Sequence, residues 1–142
     1  MTATTAVTVE HVKVYPLKTF QADGTLVFVE NHRPVPFAIE RFFGVSGVTP
    51  GAVRGDHAHR VCNQALLCMH GVCEVECKDG RDTKTFRLTN PGMLLYVPAT
   101  IWASEKYETS DTVLVVLADR RYDAADYIRD YGEYLRLRGL TP

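Results

Sequence analysis

The chain has 142 residues, 46% hydrophobic and 23% charged, with a formal net charge of -1. That length fits one domain with its own core, and the charge balance argues against a nucleic-acid or anionic-membrane surface as the working face. No apolar run approaches the roughly 18 residues of a membrane span, and MTATTAVTVEHVKV lacks the basic and apolar segments of a secretory signal, so a cytoplasmic protein with reduced cysteines is expected.

Residues 1–8 read as a flexible lead-in and 9–142 as a single domain. VTVEHVKVYPL alternates apolar and polar residues, as a strand does. After the turn at Asp23-Gly24, TLVFVE reads as a second strand, NHRPVP as a loop and AIERFFGV as a third strand. SGVTPGAVRG is a Gly/Pro loop. ALLCMHGVCEVECKDG holds two apolar runs parted at His70-Gly71; DTKTFRL and MLLYVP follow. ATIWASEKYETSD then connects to the buried run TVLVVLA. Eight or nine short strands at intervals of roughly ten residues favour an all-β sandwich or jelly roll. Cys68, Cys73 and Cys77 fall in the strand-like stretches and are expected to pack as small hydrophobes. The tail changes period. Asp123 is a candidate N-cap, Tyr127, Ile128, Tyr131 and Leu135 recur at helical spacing, and Gly139 ends the pattern. One amphipathic helix over about 124–137 is predicted, its tyrosines packing against the sheet.

RGDHAHR, residues 54 to 60, carries the chemistry. Residues i and i+2 of a strand point the same way, so His57 and His59 project together. Histidine has the side-chain pKa nearest neutrality and suits proton transfer. His11, His32 and His70 have no comparable context.

The wider spacing runs from Gly51 across five residues to His57, then His59, across four to Gln64, and across six to Gly71. It resembles the first motif of the cupin superfamily, which implies a cupin jelly roll. In most cupins the two histidines, a glutamate and a later histidine hold a metal. Here the glutamate position is Gln64, and the second motif, begun by Gly92 and Pro98, has Ala103 in place of its histidine. Two imidazoles alone make a weak site, so no metal is expected.

RGDHAHR, NQALLCMHGVCEVECKDG, LLYVPATIWASE and YDAADYIRDYGEYL together resemble the nucleotide-sugar 3,4-ketoisomerases over roughly residues 10 to 137. The resemblance implies movement of the ketone of dTDP-4-keto-6-deoxyglucose from C4 to C3 without a cofactor, on the way to an amino sugar. It implies His59 as the principal base and His57 as its partner. Arg54 is the expected fixed positive charge, and Gln64 shares the inward face, with Asn63 beside it. Tyr96 and Trp102 are candidates to stack on the thymine or line the sugar pocket, and Arg41 and Lys106 are weaker phosphate candidates. Members of this family are usually homodimers, and VTVEHVKVYPL is a candidate edge strand for pairing.

Some relatives carry a histidine directly after the tryptophan, where this chain has Ala103, and a tyrosine in the strand before the loop, where Arg41-Phe42-Phe43 offers no phenol. A 3,5-epimerase on the same nucleotide sugar and a non-catalytic sugar-nucleotide-binding cupin are the alternatives; a metalloenzyme cupin ranks below both.

Overall fold

A computed structural model describes residues 6–142; residues 1–5 of the expected lead-in lie outside them. Twelve strands and one α-helix run in chain order: β1 Lys13–Pro16, β2 Phe20–Gln21, β3 Thr25–Leu26, β4 Arg41–Val45, β5 Val53–His59, β6 Gln64–His70, β7 Cys73–Lys78, β8 Thr83–Leu88, β9 Met93–Val97, β10 Trp102–Tyr107, β11 Val113–Ala118, β12 Tyr127–Ile128 and α1 Tyr131–Leu137. Two five-stranded sheets, ordered β1-β9-β6-β11-β4 and β12-β5-β10-β7-β8, face each other, and β2-β3 forms a separate hairpin. The pairings of both sheets are antiparallel. This is the all-β jelly roll that the strand pattern predicted and that the resemblance to cupins implied. No helix among the described residues is long and apolar enough to cross a membrane.

The core follows from strand parity. Cys73, Val75 and Cys77 alternate with Glu74, Glu76 and Lys78, and only the first set is fully buried. Those cysteines join Leu66, Cys68, Leu95, Val97, Leu114 and Val116 between the sheets. Ala65, Leu67 and Leu94 point the other way, yet are also buried, because Val35 and Phe37 cover that outer face. This is why β6 reads as a continuous apolar run rather than an alternating one.

Several expectations are corrected. Only Thr25–Leu26 of TLVFVE is strand; the chain from 27 to 39 lies as a strap on the first sheet, and its prolines withhold ladder donors. Val9–His11 is a 3₁₀ turn, because Thr8 caps it and the His11 ring returns the bond. Residues 7 and 8 are not loose: the Val7 carbonyl accepts from Arg138, and the Val9 amide donates to the buried Asp79 at 3.0 Å. ATIWASEKYETSD contains β10, a strand whose inward face sets the cavity carboxyl of Glu105 between Ala103 and the buried Tyr107, so its apolar signal is weak.

The predicted helix over 124–137 is broken into three. Asp123 caps a 3₁₀ turn at Ala124–Asp126, Tyr127–Ile128 pairs with β5, and α1 starts afresh with Asp130 as its N-cap. The break has a cause in Asp126, whose side chain accepts from the backbone of Val61 and Cys62 and so ties the segment to the sheet. Gly139 follows the helix at φ +73°, as expected for a terminating glycine. Tyr134 is fully buried and its hydroxyl donates to the Thr100 carbonyl at 2.8 Å, which docks α1.

Candidate active site

A cavity of about 540 Å³ opens between the sheets, within the size range of small-molecule sites. Arg41, Arg54, His57, Gln64, Glu105, Tyr107, Tyr127 and Arg129 supply its polar lining; Phe43, Val45 and Val116 supply apolar walls.

The route by which β5 delivers both Arg54 and His57 is instructive. Residues three apart on a regular strand face opposite ways. Here Gly55 and Asp56 sit in succession at φ +77° and +58°. Ala103 pairs with His57 and Ser104 with Gly55, so Asp56 is an extra residue in β5. This bulge resets the parity, and Arg54 comes to face the cavity with His57. Asp56 is sent outward, where it accepts from the Trp102 indole at 3.0 Å.

The two imidazoles lie 5.0 Å apart between ring centres, at 80° to each other. His57 lines the cavity; His59 lies deeper and is 6% exposed. His59 Nδ1 and Asp126 Oδ2 are 2.9 Å apart. Burial pushes the Asp126 carboxyl up, but the Val61 amide, the His59 ring and the Cys62 amide together hold it below its ordinary value. An ionised carboxylate only accepts, so Nδ1 carries the ring proton and Nε2 the lone pair. That Nε2 is buried with no hydrogen-bond partner among the described residues, as is His57 Nδ1. Burial lowers the His59 pKa against the pull of Asp126. For His57, burial first and the neighbouring His59 second bring the pKa down to about 4. Both rings are therefore neutral near pH 7 and able to accept a proton.

Tyr127 packs on both rings, at 5.0 Å from His57 and 4.4 Å from His59. Its hydroxyl accepts from Arg41 at 3.2 Å, and the Arg129 guanidinium lies 4.6 Å over its ring. Arg41 in turn lies 4.7 Å over Phe43. Three cations thus edge a cavity with a single carboxyl, which suits an anionic ligand.

Of the residues named from sequence, His57, Arg54, Gln64 and Arg41 line this cavity, with His59 directly behind. Four do not reach it. Asn63 clips strand ends together, donating to Asp119 at 2.8 Å and accepting from the Ala99 amide at 2.8 Å. Tyr96 points to the outer face of its sheet, 6.4 Å from Tyr15 and 6.3 Å from Phe37. Trp102 is a core residue, 5% exposed, packed on Tyr131 and Tyr134. Lys106 is exposed, one residue out of phase with Glu105. Sequence reasoning missed Asp126, Tyr127, Arg129 and Glu105. The first three lie in the YDAADYIRD segment, whose helical spacing masked them; Glu105 falls in phase with Ala103 and Tyr107, an alternation visible only once β10 is recognised.

One cluster brings metal-binding side chains together. His59, Cys62 and Asp126 have ligand atoms within 4.8 Å of one another. Yet the Asp126 oxygens take N–H bonds from Val61, His59 and Cys62, and burial pushes the Cys62 thiol up to about 11. A cation there would have to displace three donors and a proton, so the cluster does not fit one. At the cupin metal positions, Ala103 stands opposite His57 in register and offers no ligand.

The chain is similar to several known proteins. The profile of the family described as FdtA: WxcM-like, C-terminal matches residues 10–139. A TDP-4-oxo-6-deoxy-alpha-D-glucose-3,4-oxoisomerase of Aneurinibacillus thermoaerophilus is 35% identical over 117 residues, 82% of this chain and 84% of that one. QdtA, a sugar 3,4-ketoisomerase of Thermoanaerobacterium thermosaccharolyticum solved in complex with TDP, superposes with a TM-score of 0.88 at 30% identity, covering 92% of this chain and 96% of that one. A histidine-to-asparagine mutant of the same enzyme was solved with TDP-4-keto-6-deoxyglucose. A 3,4-ketoisomerase of Helicobacter canadensis gives a TM-score of 0.86 at 32% identity over 91% of this chain and 98% of that one. The chain belongs to the FdtA (WxcM-like, C-terminal) family, and it is an isomerase, a sugar 3,4-ketoisomerase.

Proposed function

We propose that this isomerase takes TDP-4-keto-6-deoxyglucose and moves its carbonyl from C4 to C3 by histidine acid/base catalysis, without a metal. The observation that carries the reading is the Asp126–His59 pair, which leaves a neutral imidazole with an unpartnered Nε2 beside a cavity edged by three arginines. The hydrogen on C3 is acidic because it neighbours the C4 carbonyl. His59 removes it; the C3–H electron pair forms the C3–C4 double bond, and the carbonyl pair moves to the C4 oxygen. Tyr127 lines the cavity 4.4 Å from the His59 ring and forms the wall between that ring and the sugar. His57 faces the sugar directly and steadies the enediolate. The imidazolium then returns its proton to carbon at C4 as the C3 oxygen becomes the ketone. Positioned acid/base groups of this kind supply about 10²–10⁴-fold. Arg54, Arg41 and Arg129 offset the developing oxyanion and hold the diphosphate. The similar enzymes that bind TDP and the keto sugar support the substrate, and the poor donor set supports a reaction without a metal.

The same reading includes a homodimer. β1 is an edge strand, and Phe20, Leu26 and Phe28, on and just after the β2-β3 hairpin, are exposed at 43%, 57% and 55%.

The test is to mix the full chain with TDP-4-keto-6-deoxyglucose and follow the sugar by proton NMR. A 3-keto product is expected, with the His59→Asn variant slower by about 10²–10⁴-fold while keeping its fold. Solvent deuterium entering at C5 in place of ketone migration would overturn the reading.

A further inference from the structure

Glu105 is the one carboxyl among the described residues lining the cavity, and the chemistry above gives it no task. It stands in β10 with Arg54 paired to it on β5 and Val75 on β7. Gly55 makes room for it: a Cβ there would lie 2.0 Å from Glu105 Oε2. Glu105 belongs to none of the ion pairs among the described residues, so the scaffold does not hold its carboxyl.

The isomerisation moves two hydrogens. One passes from carbon C3 to carbon C4. The other leaves the C3 hydroxyl as that oxygen becomes the ketone, while the C4 oxygen gains one as it becomes a hydroxyl. A carboxyl can make this second transfer alone, giving from one oxygen and accepting at the other. Resting on the ketoisomerase reading, we propose that Glu105 carries the proton between the two sugar oxygens. Its protonated oxygen donates to the C4 oxygen of the enediolate. Its other oxygen takes the C3 hydroxyl proton, whose O–H electrons form the new carbonyl as C4 is protonated. Glu105 ends the cycle as it began, a neutral acid.

Its surroundings favour that form. Burial raises the Glu105 pKa to about 7, with Arg54 opposing. Arg54 faces it from β5, and Asp56, on the same strand, is turned to Trp102. From β7, burial pushes Cys77 up to about 12 and Cys73 higher; Tyr107, on its own strand, is raised likewise. Arg41 and Arg129 stand across the cavity, and His57 stays neutral down to about 4. Burial thus moves Glu105 up to about 7, while it moves both cavity imidazoles down.

The experiment compares the full-length wild type with Glu105→Gln on TDP-4-keto-6-deoxyglucose across pH. Wild-type kcat is expected to fall as pH rises through about 7, and Glu105→Gln to lose about 10²-fold in kcat with little change in KM and to lack that limb. A Glu105→Gln enzyme with wild-type kcat overturns the proposal, even where its melting temperature drops, since a merely structural carboxyl would affect only stability. Should the variant fail to fold, the wild-type profile decides: one flat across neutral pH overturns it. A wild type that forms no 3-keto sugar speaks against the substrate reading instead, so the two failures are separable.

Discussion

Asp126 determines which nitrogen of His59 is free, and this is where the residue scale matters most. Asp126→Asn keeps the shape, but an amide can donate to Nδ1 and move the ring proton to Nε2. The expected outcome is a fall in kcat of about 10²-fold with KM little changed. Asp126 raises the His59 pKa, so its loss also moves the acid limb of the profile to lower pH. An unchanged profile would show that the carboxylate only clips the loop. His57, His59 and Gln64 could be read from spacing because the motif sets them on β5 and the start of β6, whereas Arg54 and Arg41 came with the family resemblance. Asp126 could not, since it meets His59 across 67 positions of sequence. Tyr96 and Trp102 misled because an aromatic near a motif says nothing about which face of the sheet it takes.

At the scale of elements, the bulge in β5 and the break before α1 build the site. Sequence patterning revealed the sheets, since their parity is written in alternation, but a bulge depends on a backbone angle. Gly55→Ala tests the first. A side chain at φ +77° is strained and should cost about 1–2 kcal/mol in urea unfolding. The new Cβ also displaces the Glu105 carboxyl, so turnover is expected to drop further than stability explains. Wild-type unfolding and activity would contradict this account of the bulge. The C-terminal break was hidden because Tyr127, Ile128, Tyr131 and Leu135 do keep helical spacing; bonds from Val61 and Cys62 to Asp126 override it.

For the whole molecule, the cavity groups leave a mark on folding. His57 binds its proton at about 4 when folded against 6.5 when unfolded, so the unfolded state takes up more protons in that window and acid destabilises the fold. Glu105, shifted from 4.5 to about 7, does the opposite between those values, because there the folded state holds more protons. Glu105→Gln removes the opposing group, so its stability should fall more steeply than wild type between pH 7 and 4.5 in urea titrations; parallel curves would place the carboxyl in water. The exposed Phe20 and Phe28, stacked at 6.3 Å, lead us to expect sedimentation at twice the 15.9 kDa chain mass, and a monomer would refute the dimer. The most direct measurement of the central claim uses TDP-4-keto-6-deoxyglucose deuterated at C3, with wild type and His59→Asn run side by side. Wild type should strip the label from C3 as the 3-keto sugar appears and show a slowed rate, while His59→Asn leaves the label in place. Label lost equally fast from both would mean that another group takes the proton.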